Sequence, residues 1–120
     1  MGATTVKLKI GNPLQSSIPT IESDFLVDSG AHYTVLPYRM VEKLKLRPSY
    51  EQEFSLADGK IIKRTISGAL VEFEGRQLPV TVVLGKKGDS ALLGVTTLES
   101  FGLMLDPFQR RIYSAKLMLA

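Results

Sequence analysis

Hydrophobic and polar residues alternate near the start of the chain. Val6-Lys7-Leu8-Lys9-Ile10 places an apolar side chain at every second position, the period of a strand with one buried face, and Gly11-Asn12-Pro13 ends it with turn chemistry. A second strand is predicted from about Ile21 to Val27, stopping at Asp28-Ser29-Gly30. Tyr33 to Leu36 is a short apolar segment. Pro37 then suits the first turn of a short helix that carries Met40, Val41 and Leu44 on one face.

In the middle of the chain, Phe54-Ser55-Leu56 and Ile61-Ile62 flank Ala57-Asp58-Gly59-Lys60, which predicts two extended arms joined by a tight turn with glycine free to take positive φ. A second hairpin is expected from Ala69 to Phe73 and Leu78 to Leu84, turning at Glu74-Gly75-Arg76. After the loop Gly85 to Asp89, Ala91-Leu92-Leu93-Gly94 is a buried run ended by glycine. Thr96-Thr97-Leu98-Glu99 matches a capping box, so a helix is predicted to begin there and to stop at Gly102. Leu103 to Leu105 and Ile112 to Leu119 read as the last strands. One organisation recurs: an apolar strand runs into glycine and then into a helix, once around Asp28-Ser29-Gly30 and again around Leu93-Gly94.

Short strands separated by ten glycines and six prolines point to an all-β fold. The 120 residues, 44% hydrophobic and 22% charged, are enough for one domain over residues 1–120. Net charge is +3, but like-charge basic runs are no longer than pairs, such as Lys86-Lys87 and Arg110-Arg111, and no basic stripe with interleaved aromatics stands out, so no nucleic-acid partner is expected. With no cysteine there is no disulfide or thiolate chemistry, and with His32 alone there is no histidine-rich metal site. The amino terminus lacks the apolar core of a signal peptide and has Val6 where a myristoylation pattern needs Ser or Thr. No apolar run reaches membrane-spanning length. The expectation is a cytoplasmic protein with no membrane partner.

Asp28-Ser29-Gly30 at a strand end is, taken alone, ordinary turn chemistry. His32, three residues after Ser29, invites a Ser-His-Asp reading. Yet the adjacent side chains of Asp28 and Ser29 leave a strand on opposite faces, and the chain has no Gly-x-Ser-x-Gly elbow.

Taken together, Phe25-Leu26-Val27-Asp28-Ser29-Gly30-Ala31 and, some sixty residues later, Ala91-Leu92-Leu93-Gly94 resemble the paired signature of retropepsin-like (clan AA) aspartic proteases. The resemblance runs from about Val6 to Leu117. It is closest to the small single-lobed prokaryotic members, in which an Ala-Asp-Gly-like turn and a Leu-Leu-Gly-Val-Thr-x-Leu-Glu segment precede a Gly-Leu-x-x-Asp-Pro strand; Ala57-Asp58-Gly59 and Leu92 to Pro107 follow that order. It implies an all-β, single-lobed acid-protease barrel with one or two short helices, assembled as a two-fold homodimer. It also implies an aspartic endopeptidase that uses no cofactor and takes an extended peptide or protein as substrate.

The chemistry behind that signature is proton sharing. A lone carboxylate near neutral pH is ionised and cannot also donate a proton, whereas two held side by side share one and act as base and acid together. This chain has one Asp-Ser-Gly, so a second copy would supply the other carboxylate across a two-fold axis. By resemblance, Asp28 is the catalytic acid and base, Ser29 bonds across the axis, Gly30 admits the substrate, and Ala31 keeps the wall small. Leu92, Leu93 and Gly94 pack beneath the loop. Ala57, Asp58, Gly59, Lys60 and Ile61 form the flap, His32 is a subsite or rim residue, and the first and last strands form the dimer. The chain departs from many retroviral members, which have an acidic residue at the position of His32 and an arginine at that of Val95. The alternatives are a catalytically weak or inactive dimerisation or peptide-binding module, and a monomer with an inert turn.

Overall fold

The structure is a computed structural model, and it describes residues 4–116. The alternating amino-terminal segment forms strand β1 (Thr5–Gly11), paired antiparallel along β2 (Ile21–Val27), with Leu8, Ile10, Phe25 and Val27 turned into the core. Strand β3 (Thr34–Leu36) follows, and Pro37, in extended backbone, is the N-cap of helix α1 (Tyr38–Leu44). Met40 and Leu44 are the buried face of α1, as their spacing predicts, and Lys45 ends the helix in the left-handed region.

Strand β4 (Tyr50–Ser55) pairs antiparallel with β5 (Ile61–Phe73), and β5 turns at Glu74-Gly75 into β6 (Arg76–Leu84). The two predicted hairpins therefore share one strand. The thirteen residues of β5 serve both, and Thr65 and Ile66 pair with β4 on one side and with β6 on the other. The two-residue β7 (Leu92–Leu93) lies between β2, to which it is parallel, and β3, to which it is antiparallel. Helix α2 (Val95–Ser100) and the separate antiparallel pair β8 (Leu103–Asp106) and β9 (Arg111–Ser114) complete the described chain. The expected last strand, Ile112 to Leu119, is thus seen as Arg111–Ser114, and its residues 117–119 lie outside the described part.

Two expectations are corrected. The fold is not an all-β barrel but a mixed seven-stranded sheet, ordered β1-β2-β7-β3-β6-β5-β4, with two helices and a detached two-stranded sheet. A closed barrel joins its strands edge to edge in a continuous staggered ring. Among the described residues β4 remains as an outer strand paired only to β5, and β1 touches β5 over just Lys9↔Glu72, Ile10↔Val71 and Gly11↔Leu70. The sheet wraps its core without closing.

The capping box at Thr96 to Glu99 is the second. Helix α2 starts earlier, at Val95, with Gly94 rather than Thr96 as N-cap and no side-chain cap bond. The reason is tertiary: the amides of Val95 and Thr96 already donate to the carbonyls of Ala31 (2.9 Å) and His32 (3.0 Å). The Thr96 amide, to which the Glu99 carboxylate would reach back in a capping box, is therefore already occupied.

Candidate active site

Strand β2 delivers Asp28 to the edge of the core. The Asp28 amide donates to the Leu93 carbonyl (3.0 Å), and the Leu26 amide to that of Ala91 (3.1 Å), so β7 sets the height at which β2 ends. Beyond it the chain turns on itself. The Asp28 carbonyl accepts from the Ala31 amide (3.1 Å), and Asp28 Oδ1 accepts from the Gly30 amide (2.8 Å), which orients the carboxylate along its own loop. Asp28 is partly buried, while Ser29 and Gly30 are exposed.

Beneath this loop lies a buried knot. Thr34 Oγ1 accepts from the Gly94 amide (3.0 Å) and meets Thr97 Oγ1 at 2.6 Å, with both threonines almost wholly enclosed. A side chain at Gly94 would put its Cβ 2.3 Å from the carbonyl carbon of Tyr33, so only glycine permits this crossing. The two strand-into-glycine segments of the sequence are here locked against each other. Thr96 Oγ1 is buried with no hydrogen-bond partner among the described residues.

Above the loop is a cleft of about 560 Å³. Of the residues singled out in the sequence, Asp28, Gly30, Ala31, His32, Ala57 and Leu92 line it. Asp58, Gly59, Lys60 and Ile61 sit at the exposed tip of the β4–β5 hairpin, where Leu56 and Lys60 are bonded across the turn (2.8 Å) and Asp58 Oδ1 accepts from the Lys60 amide (2.9 Å). Gly59 takes φ of +88° there. Leu93 and Gly94 are buried below the cleft, and Ser29 is outside its lining. A hollow of about 240 Å³ elsewhere, beside Asn12 and Arg47, has no carboxylate in its wall.

Several lining residues carried no signal in the sequence. Tyr33 touches His32 edge-on (centroids 4.6 Å apart) and Phe54 of the hairpin (6.2 Å), joining loop to hairpin by aromatic contact. Arg64 on β5 forms a fork with Asp89, Nε to Oδ2 at 2.7 Å and Nη2 to Oδ1 at 3.0 Å. Those guanidinium hydrogen bonds hold the Asp89 carboxyl below its usual range against the opposing effect of partial burial, and they raise Arg64. The partners are 25 residues apart, and nothing in the local sequence of either announces the other.

Among the described residues, Asp28 and Asp89 are the carboxylates that line the cleft, and Asp89 is already engaged by Arg64. No group of three or more His, Cys, Asp or Glu is placed among the described residues to hold a metal ion, and no helix among them is long and apolar enough to cross a membrane.

Residues 15–100 match the family model described as "gag-polyprotein putative aspartyl protease", a span that contains the Asp28 loop, the hairpin and the Leu92 to Gly94 segment. The fold is similar to that of the EIAV protease complexed with the inhibitor HBY-793, with a TM-score of 0.61 over 98% of this chain and 94% of that one, at 18% identity. No curated protein matches the chain.

Proposed function

The chain belongs to the retropepsin-like aspartic-protease family, and from that premise we propose that it is an aspartic endopeptidase whose working form is a homodimer with one Asp28 from each copy. The observation that carries this reading is the seat of Asp28. Its backbone is pinned to Leu93, its carboxylate is oriented by the Gly30 amide, and it lies in the wall of a cleft large enough for a peptide segment. A carboxylate held this rigidly needs little reorganisation when charge moves during reaction.

In the proposed reaction the two carboxylates share one proton across the axis. The ionised one takes a proton from a water molecule, whose oxygen attacks the scissile carbonyl carbon, while the protonated one gives its proton to the carbonyl oxygen. The tetrahedral intermediate collapses, the C–N bond breaks, and the amine leaves with a proton returned through the pair. Water and two carboxylates complete the balance, and the proposal calls on no cofactor. Activity is expected in acid to mildly acidic solution, where one proton resides on the pair.

Ser29 would bond across the axis, Gly30 and Ala31 would face the substrate backbone, and His32 would stand at a subsite rim. Ala57 to Ile61 would close as a flap over an extended peptide. Leu92, Leu93 and Gly94 would hold the loop from below. Residues 1–120 act in this reading as one domain in a cytoplasmic protein, and β1 with the chain from β9 onward would meet the second copy.

Incubating the protein and its Asp28→Asn variant with a peptide library at acidic and neutral pH, with sedimentation at the same concentrations, tests the proposal. New peptide termini with wild type only, from a dimer, are expected. Cleavage by the variant or by a stable monomer would sink the mechanism, and tight capture without turnover would assign the chain a peptide-binding role.

A further inference from the structure

The cleft that holds Asp28 contains a second, self-satisfied charge system. Arg64 comes from β5, the strand that also forms one arm of the flap-like hairpin, and Asp89 from the loop before β7, so their fork ties two walls of the cleft together. Both side chains are largely enclosed, at 17% and 24% exposure. Most of their hydrogen-bonding capacity is engaged with each other and with nearby backbone: besides the fork, Arg64 Nη1 donates to the Lys63 carbonyl (2.9 Å), and Asp89 Oδ2 accepts from the Lys86 amide (2.8 Å). The lining of the same cleft includes the aliphatic and aromatic side chains of Phe54, Ile62, Val83 and Leu92, with the uncharged Ser55 and Ser90.

A cation and an anion matched in this way present almost no net charge to a ligand, although each alone would present a full one in a half-dry setting. A charged ligand side chain entering here would lose water and find no free counter-ion. An apolar one would find hydrocarbon. We infer that Arg64 and Asp89 are specificity-determining residues which, by cancelling each other, make this part of the cleft select an uncharged side chain from a bound peptide.

The inference rests on the reading of the cleft as a peptide site, and it differs from a purely structural role in one measurable respect. Removing one partner should not merely weaken the site; it should reverse its charge preference. Asp89→Asn leaves Arg64 uncompensated and should recruit an acidic side chain. Arg64→Met leaves Asp89 uncompensated and should recruit a basic one.

The probe is a random peptide library in two forms. Ordinary peptides report cleavage through new termini, and peptides with a reduced central amide, which cannot be hydrolysed, report capture. Wild type should favour uncharged residues at one position. The ratio of acidic to basic residues there should rise by about tenfold or more in Asp89→Asn and fall by a similar factor in Arg64→Met. Thermal unfolding checks each variant, and Arg64→Gln, which also leaves the Asp89 charge uncompensated, replaces Arg64→Met should the latter not fold.

Charge reversal in capture without any cleavage supports the inference while overturning the endopeptidase reading. Folded variants that lose all peptides in equal proportion, or that keep the wild-type preference, overturn the inference. So does a wild type that neither cuts nor captures any peptide.

Discussion

The floor and the roof of the cleft are built on opposite principles. The floor, from Asp28 to Thr34 over Leu92 to Thr97, is held by backbone bonds between segments some sixty residues apart and by a buried pair of hydroxyls. The roof, from Phe54 to Ile62, is a hairpin with an exposed tip whose turn bonds are all local. Opening the floor breaks many contacts at once, whereas the tip can move while the hairpin persists. The comparison teaches where rigidity is invested: beneath the Asp28 loop, and away from the hairpin tip that the proposed function assigns to admitting a ligand.

The largest effect should come from the floor's chemistry. Asp28→Asn keeps the shape of the loop and removes the group proposed to accept and donate the proton, so peptide cleavage should fall by about 10³-fold or more with melting little changed. Next is the floor's packing. Gly94→Ala forces a Cβ within 2.3 Å of the Tyr33 backbone and should destabilise by about 3 kcal/mol in urea unfolding, taking activity with it. An unchanged midpoint would mean that the knot is loose.

Thr34→Val should cost about 1–3 kcal/mol, since it leaves the buried Gly94 amide and Thr97 hydroxyl without their partner. A smaller effect is expected where roof and floor are tied by Arg64 and Asp89. The depressed Asp89 value means that the unfolded chain binds its proton more readily, so the pair stabilises the fold above the ordinary carboxylate range and that contribution is lost as pH falls through the lowered folded value. A double-mutant cycle should give a coupling of about 1 kcal/mol above about pH 5, declining in stronger acid. Gly59→Ala at the tip should be mildest, about 1 kcal/mol or less, because φ of +88° strains alanine but the space around it is open. If this substitution costs as much as Gly94→Ala, the contrast between floor and roof fails.

Much of this was legible along the chain. The alternation in Val6 to Ile10, the apolar run into Asp28, the Met40 and Leu44 face of α1 and the Asp58-Gly59 turn all formed where the pattern places them. The capping box was misread because propensity counts local donors and acceptors, and the amides of Val95 and Thr96 were claimed by carbonyls more than sixty positions away. The barrel was an inference from resemblance. Strand periodicity sets which face is buried, but says nothing of whether an edge finds another edge; that depends on three residue pairs between β1 and β5 and on β4 staying outermost.

By itself, then, the sequence determined most of the local elements and named the candidate site residues, since side-chain period, turn chemistry and the Asp-Ser-Gly signature are properties of neighbours along the chain. Only the tertiary structure decided that Gly94 must be glycine, that Thr34 and Thr97 share a hydrogen bond, and that Arg64 meets Asp89 in the wall of the Asp28 cleft. Those facts depend on distances between remote segments, which a period of two or of 3.6 residues does not encode.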